Sequence, residues 1–219
     1  MAWSFEDKFN SDTKSIGDLN GQDGWSGITT FDVQNSVVYQ GDQAIVETSG
    51  GGGSIDVSIS AVSDGTVYFA MRRNSTTGDS TTAFMNGTTT QFRISFELAK
   101  IRTDNGGSVV DLLNPYVANT WYLFEVIFDA NNTHTIRIHD GSSWSSSFGP
   151  YTATNTSDIN AVRLNSGGTN SQYWDIITGT NPLASGPSNL KSLDTNLKAN
   201  IKSYNTNLIA NIKSIDTNA

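Results

Sequence analysis

The stretch Trp121–Gly141, WYLFEVIFDANNTHTIRIHDG, decides how the rest of the chain is read. Two apolar runs flank a polar segment, Asp129-Ala130-Asn131-Asn132-Thr133-His134, the pattern of a β-hairpin with a longer loop. Residues opposite each other in an antiparallel pair share a face, so side-chain parity must agree across the turn. Pairing Phe128 with Ile136 and Val126 with Ile138 meets that condition. It puts Phe124, Val126, Phe128, Ile136 and Ile138 on an apolar face and Glu125, Arg137 and His139 on a charged one. A strand pair in a two-sheet sandwich has this division.

Outward from the hairpin the same period of two recurs. Trp3–Phe9 reads as an opening strand, and the Gly-punctuated loop GDLNGQDGWSG at 17–27 brings Trp25 to cap the core. Val37–Tyr39 and Ala44–Glu47 read as a hairpin around Gly41-Asp42. Ser49–Ser54, SGGGGS, is a loop within the domain, because strand pattern resumes at once in Ile55–Ala61. Thr66–Arg73 follows, with Val67, Phe69 and Met71 on one face. Phe92–Leu98 is the cleanest alternation and runs on to Thr103, then turns at Asp104-Asn105-Gly106-Gly107 into Ser108–Leu113. Asn105-Gly106 supplies the positive φ values of a two-residue primed turn, which sets Lys100 opposite Asp111 and Ile101 opposite Val110. Strands at Ile159–Leu164 and Tyr173–Ile177 complete about a dozen, the count and spacing of an all-β antiparallel sandwich of jelly-roll type. No helix-period segment precedes residue 185, so residues 1–183 form the sandwich domain and 184–189 a linker.

Composition narrows the function. Hydrophobic residues make up 36% of the 219, enough for strands that bury alternate positions. No cysteine is present, which removes disulfides and thiolate metal sites. The formal charge of −8 without a basic run argues against nucleic acid, whose phosphates need clustered Lys and Arg. The opening MAWSFEDKF lacks a basic region followed by an apolar core, so no signal peptide is expected. No apolar run is long enough to insert into a membrane. A virion or extracellular location fits these features.

Several local phrases match a known architecture: FEDKF at the start, the GDLNGQDGW loop, YQGDQAI, the Trp121–Gly141 hairpin and the closing SQYWDII. Over residues 3–182 the chain resembles the concanavalin A-like lectin/glucanase superfamily, including its laminin-G-like branch. The resemblance implies calcium at the sandwich edge, held by Glu6 or Asp7, Gly41 and Asp175, oxygen ligands suited to a hard cation. It also implies two glutamates in an E-x-D-x-x-E pattern if the chain is a glucanase. Glu97 in FELAK and Glu125 in FEVIFD lack those partners, so a glycoside hydrolase is disfavoured and a non-enzymatic role expected. With only His134 and His139, a His-rich zinc site is disfavoured too.

Two surfaces suit a ligand. One is the polar sheet face of Arg93, Glu97, Glu125, Arg137 and His139, which reads equally as solvated cross-strand ion pairs. The other is the loop ring Trp144 with Tyr151, since exposed rings stack on the apolar faces of sugars.

Beyond Gly186 the texture changes to an eleven-residue repeat, KSLDTNLKANI, KSYNTNLIANI, KSIDTNA, over residues 190–219. Leu190, Leu193, Leu197, Ile201, Tyr204, Leu208, Ile212 and Ile215 recur every three or four positions. Three apolar positions per eleven residues predict a right-handed helical supercoil and self-association, with a homotrimer the expected assembly. A β-solenoid with Asn ladders is the alternative, because Asn, Thr and Ser are weak helix formers. Four lysines against two aspartates give the tail +2, which leaves −10 for the other 189 residues. Such short C-terminal repeats behind lectin-like domains resemble those of bacteriophage particle proteins. The expectation is therefore a structural or attachment component of a virus particle, contacting other virion proteins and glycans. A microbial extracellular lectin or adhesin is the alternative.

Overall fold

A computed structural model describes residues 3–28, 30–47, 52–168 and 170–183. The chain divides into a unit of residues 1–180 and a second of 181–219, and the predicted repeat tail lies outside the described residues. The first unit is the expected all-β sandwich.

Its strands, in order, are β1 (Gly17–Asp18), β2 (Trp25–Gly27), β3 (Phe31–Gln34), β4 (Ala44–Glu47), β5 (Gly53–Val62), β6 (Gly65–Arg73), β7 (Asp79–Asn86) and β8 (Thr89–Glu97). There follow β9 (Lys100–Asn105), β10 (Ser108–Leu113), β11 (Trp121–Phe128), β12 (Thr133–His139), β13 (Phe148–Thr152), β14 (Ile159–Gly167) and β15 (Gln172–Thr178). They form two antiparallel sheets among the described residues. One has eight strands in the order β1-β3-β4-β15-β6-β11-β12-β13, and the other seven, β10-β9-β8-β7-β14-β5-β2. No helix of the described residues is long and apolar enough to cross a membrane.

The central hairpin forms with the predicted faces and a register displaced by two residues. Phe128 faces His134, Val126 faces Ile136 and Phe124 faces Ile138, so the loop is Asp129–Asn132. A displacement of two preserves side-chain parity, which is why the faces survive it. Asp129 closes the tighter loop: Oδ1 accepts from the backbone N–H groups of Asn131 and Thr133.

The β9–β10 hairpin shifts in the same way. Asn105 pairs with Ser108, and the turn is Gly106-Gly107, both at positive φ. Asn105 is left free to accept from the Thr152 N–H through Oδ1. Lys100 still reaches Asp111 at 2.6 Å, now as a diagonal neighbour.

Three further expectations are corrected. The predicted run from Phe92 to Thr103 breaks at Leu98-Ala99, where φ values of 50° and 65° reverse the chain, and Glu97 pairs with Lys100. Ala44–Glu47 pairs with Phe31–Gln34 and not with Val37–Tyr39, which lies in the intervening loop. Trp3–Phe9 contributes only a bridge between Asp7 and Ile177.

Aromatic rings hold the two sheets together. Phe69 on β6 and Phe124 on β11 stack at 5.1 Å, and Phe84 on β7 stacks on Phe92 of β8 at 4.8 Å. Phe69 meets Phe84 across the interface at 5.6 Å. Each such side chain, removed from water, contributes roughly 1.5–3 kcal/mol. Trp25 is fully buried, as a core cap should be.

Candidate functional site

Because Val67, Phe69 and Met71 of β6 point into the core, Thr66, Tyr68, Ala70 and Arg72 occupy the outer face of the eight-stranded sheet. Register then sets rows across that face. Tyr173 of β15, Arg72 of β6 and Trp121 of β11 lie side by side in one row. Tyr68, Glu125 and Arg137 form another, across β6, β11 and β12.

The first row is aromatic. Trp121 lies 6.3 Å from Tyr173, and Tyr39, from the loop between β3 and β4, lies 5.8 Å from Trp121. All three rings are half-buried. The Arg72 guanidinium sits over Tyr173, 4.9 Å from the ring centre. Its Nε donates to the Asn119 carbonyl at 3.1 Å and its Nη2 to Asn119 Oδ1 at 2.9 Å. Asn119, at φ 65°, donates its own N–H to the Arg73 carbonyl at 2.7 Å, which fixes both groups.

Asp175 holds the loop that carries Tyr39. It lies in β15 immediately before the irregularity at Ile176, and it is fully buried. Its Oδ2 accepts from the N–H groups of Tyr39 at 2.8 Å and Gln40 at 3.0 Å, and its Oδ1 from Ile176 at 2.8 Å. Burial outweighs these donors and pushes the carboxyl up to about 7.

The second row is ionic. Arg137 grips Glu125 in a fork, through Nε on Oε2 and through Nη2 on Oε1 at 2.8 Å, while the Tyr68 hydroxyl donates to Oε1 at 2.7 Å. Burial alone would raise Glu125, but the hydrogen bonds from Arg137 and Tyr68 prevail and hold it below the usual range. Burial, then the bond to Glu125, pushes Tyr68 up to about 12. Trp144 lies over Arg137 at 5.0 Å and meets His139 edge-on at 5.2 Å. The structure thus brings Glu125, Arg137, His139 and Trp144 together.

It does not bring the other candidates there. Arg93 and Glu97 belong to β8 in the other sheet, where Arg93 pairs with Asp104 and Glu97 with Arg102, each at 3.2 Å. Tyr151 packs against the core on the far side of β13, 5.8 Å from buried His134. Burial pushes His134 down to about 4.

The residues implied for calcium do not fit a cation. Asp7 Oδ1 accepts from the Phe9 N–H and Oδ2 from Trp25 Nε1, while the Lys14 ammonium sits 2.9 Å from Oδ2. Lys14 also reaches Asp23 at 2.7 Å, so a buried ammonium takes the place a metal would need. Glu6 accepts from Thr178 and pairs with Lys8, Asp175 faces three N–H donors, and Gly41 is an exposed loop glycine at φ 80°. Among the described residues no group of three or more metal-ligating side chains converges.

Sequence reasoning missed Tyr39, Arg72, Asn119, Trp121 and Tyr173. A signal existed for two of them: Trp121 has the parity of Glu125, and Arg72 the parity opposite to Val67, Phe69 and Met71, which placed both on non-core faces.

No family model and no curated protein sequence matches the chain. Solved structures do. A fungal endo-β-1,4-glucuronan lyase from Trichoderma reesei aligns with a TM-score of 0.53 at 17% identity, over 81% of this chain and 95% of that one. A carbohydrate esterase of the Shiga toxin-encoding bacteriophage phi24B gives 0.52 at 14% identity, over 79% and 97%. A sialidase gives 0.53 at 11% identity over 78% of this chain, which spans 18% of the sialidase. The likeness is one of fold.

Proposed function

We propose that the sandwich is a non-enzymatic carbohydrate-binding module whose ligand lies along the outer face of the eight-stranded sheet. The observation that carries this reading is the row Tyr39–Trp121–Tyr173, three half-buried rings around a fixed guanidinium on one sheet face. Such rings offer flat apolar surface to a sugar, with the polar groups of Arg72 and Asn119 beside them to orient its hydroxyls. The names of the similar structures, a glucuronan lyase and a carbohydrate esterase, accord with a carbohydrate ligand.

The absence of catalysis is part of the proposal. General acid–base hydrolysis needs two carboxyl groups facing one bond. On this face Glu125 is occupied by Arg137 and Tyr68, and Asp175 is sealed beneath the Tyr39 loop. The setting we propose is a virus particle, where the head serves attachment and the repeat tail assembles it. A phage protein among the similar structures and the repeat itself support that setting.

Trp121→Ala tests the reading. Loss of one stacking platform costs roughly 1–3 kcal/mol by analogy with base stacking, so glycan affinity should fall about fivefold or more. The half-exposed ring carries little of the core, so the melting temperature should drop by only a few degrees. Unchanged binding by calorimetry would refute this site. Release of reducing ends from a glycan panel by the wild type, lost in Glu125→Gln, would refute the non-enzymatic role.

A further inference from the structure

Resting on the carbohydrate-binding reading, we infer that the site selects carboxylated glycans, with Arg72 receiving the sugar carboxylate. Arg72 differs from the other cations of the chain. Among the described residues every other side-chain cation except buried Arg73 has a carboxylate partner, from Lys100 on Asp111 at 2.6 Å to Lys8 on Glu6 at 3.6 Å. Arg72 has none, in a chain with 21 acidic residues against 13 basic ones.

Its hydrogen bonding is half complete in a specific way. A guanidinium has a side-on fork, made of Nε and one Nη, and an end-on fork made of the two Nη atoms. Asn119 fills the side-on fork with its carbonyl and its Oδ1. The end-on fork remains, and it matches a planar carboxylate as two parallel N–H donors. Asn119 and Tyr173 hold the group before any ligand arrives, so little side-chain freedom is lost on binding. Trp121, beside Arg72 in the same row, offers its ring to a pyranose whose carboxylate lies on the guanidinium.

Arg137, the other arginine of this face, is excluded from the role. Its charge is already matched by the Glu125 carboxylate, and Trp144 covers its plane. The charge available to an anionic sugar is therefore concentrated at Arg72.

The test compares affinities of the full chain for an oligoglucuronate, sialyllactose, a cello-oligosaccharide of matched length and polyglutamate. Glucuronate and sialate arms separate the two common sources of a sugar carboxylate. One of them should bind about tenfold or more tightly than the neutral oligomer, the gain of one charge-assisted hydrogen-bond pair. Arg72→Gln should abolish that gain, bringing the acidic and the neutral oligomers to the same affinity. Asn119→Gly, which frees the guanidinium without removing it, should lower the preference in part. Equal affinity for neutral and acidic sugars, or a preference that survives Arg72→Gln, would overturn the inference while leaving the carbohydrate site intact. Polyglutamate binding as well as the uronate would overturn it too, since charge alone would then suffice. Failure to bind any sugar would remove the underlying reading, and this inference with it.

Discussion

At the scale of single residues, two buried ionisable groups make opposite demands on pH. Asp175 binds its proton more tightly folded than unfolded, with its carboxyl pushed up to about 7 by burial. The stability this contributes is present at low pH and is lost as pH rises through about 7. His134 is depressed to about 4 by burial, so its contribution is present above the ordinary histidine value and is lost as pH falls toward 4. Over their full windows these amount to about 4 and about 3 kcal/mol, and between pH 4 and 6.5 they oppose each other. Urea midpoints of the wild type should therefore change little across that range. His134→Gln should leave a protein whose stability falls as pH rises from 4 to 7, and Asp175→Asn one whose stability rises. Flat profiles in both variants would mean that burial does not govern either group. None of this was legible in the sequence, where Asp175 looked like a metal ligand and His134 like a loop residue. Their burial follows from pairings of β15 and β12 with distant strands, and from a loop folded over the sheet.

At the scale of elements, the strands that could be read were those whose two faces differ. Phe92–Glu97 alternates because one side meets the core and the other is polar, and in Trp121–Phe128, where Tyr122 to Val126 are all buried, Glu125 alone carries the charge that marks the outer side. What the pattern conceals is a turn made from residues that are not turn formers. Leu98 and Ala99 continue the alternation of FELAKI, yet both take positive φ, and Leu98 is 66% exposed. A two-residue reversal needs left-handed backbone, which costs a non-glycine residue roughly 1–2 kcal/mol. The flanking contacts impose it: Ala99 donates to the Thr76 carbonyl at 2.9 Å and accepts from the Tyr116 N–H at 2.9 Å. Both are backbone bonds, so the side chains can be changed without losing them. Leu98→Asn with Ala99→Gly installs the pair that such a turn prefers. It should raise stability by about 1 kcal/mol, a gain of roughly 2–4 °C in melting temperature. No gain by calorimetry would show that tertiary contacts have already relieved the strain. The registers have the same lesson in smaller form. Parity fixes which face a side chain takes, but loop chemistry at Asp129 and Gly106-Gly107 fixes which residue it meets. The candidate site was half visible for this reason: Glu125, Arg137 and His139 came from one hairpin, while Arg72 and Tyr173 needed strands paired across the sheet.

At the scale of the whole molecule, the head needs no partner to bury its core, whereas the tail sequence has no such means. The described sandwich closes over Phe69, Phe84, Phe92 and Phe124. The tail, outside the described residues, carries a stripe of Leu193, Leu197, Ile201, Tyr204, Leu208 and Ile212 that a single helix would leave in water. Each of those side chains has roughly 1.5–3 kcal/mol to gain from burial. Its many Asn, Thr and Ser residues give too little intrinsic helicity for a lone helix to persist. Ordering of the tail and association of chains should then be one event, concentration-dependent and absent from a peptide at low concentration. If the assembly is a trimer, the proposed glycan site appears three times, and weak contacts there gain from simultaneous engagement. Ile201→Asp with Leu208→Asp puts charges into every chain of the seam. It should yield a monomeric head with unchanged melting behaviour and unchanged affinity for a soluble oligosaccharide, but reduced retention on a glycan-coated surface. Sedimentation equilibrium of the full chain and the double variant decides the assembly: trimer and monomer, respectively, are expected. Two monomers would redirect the stripe to a different protein, and two trimers would assign the contacts to the head.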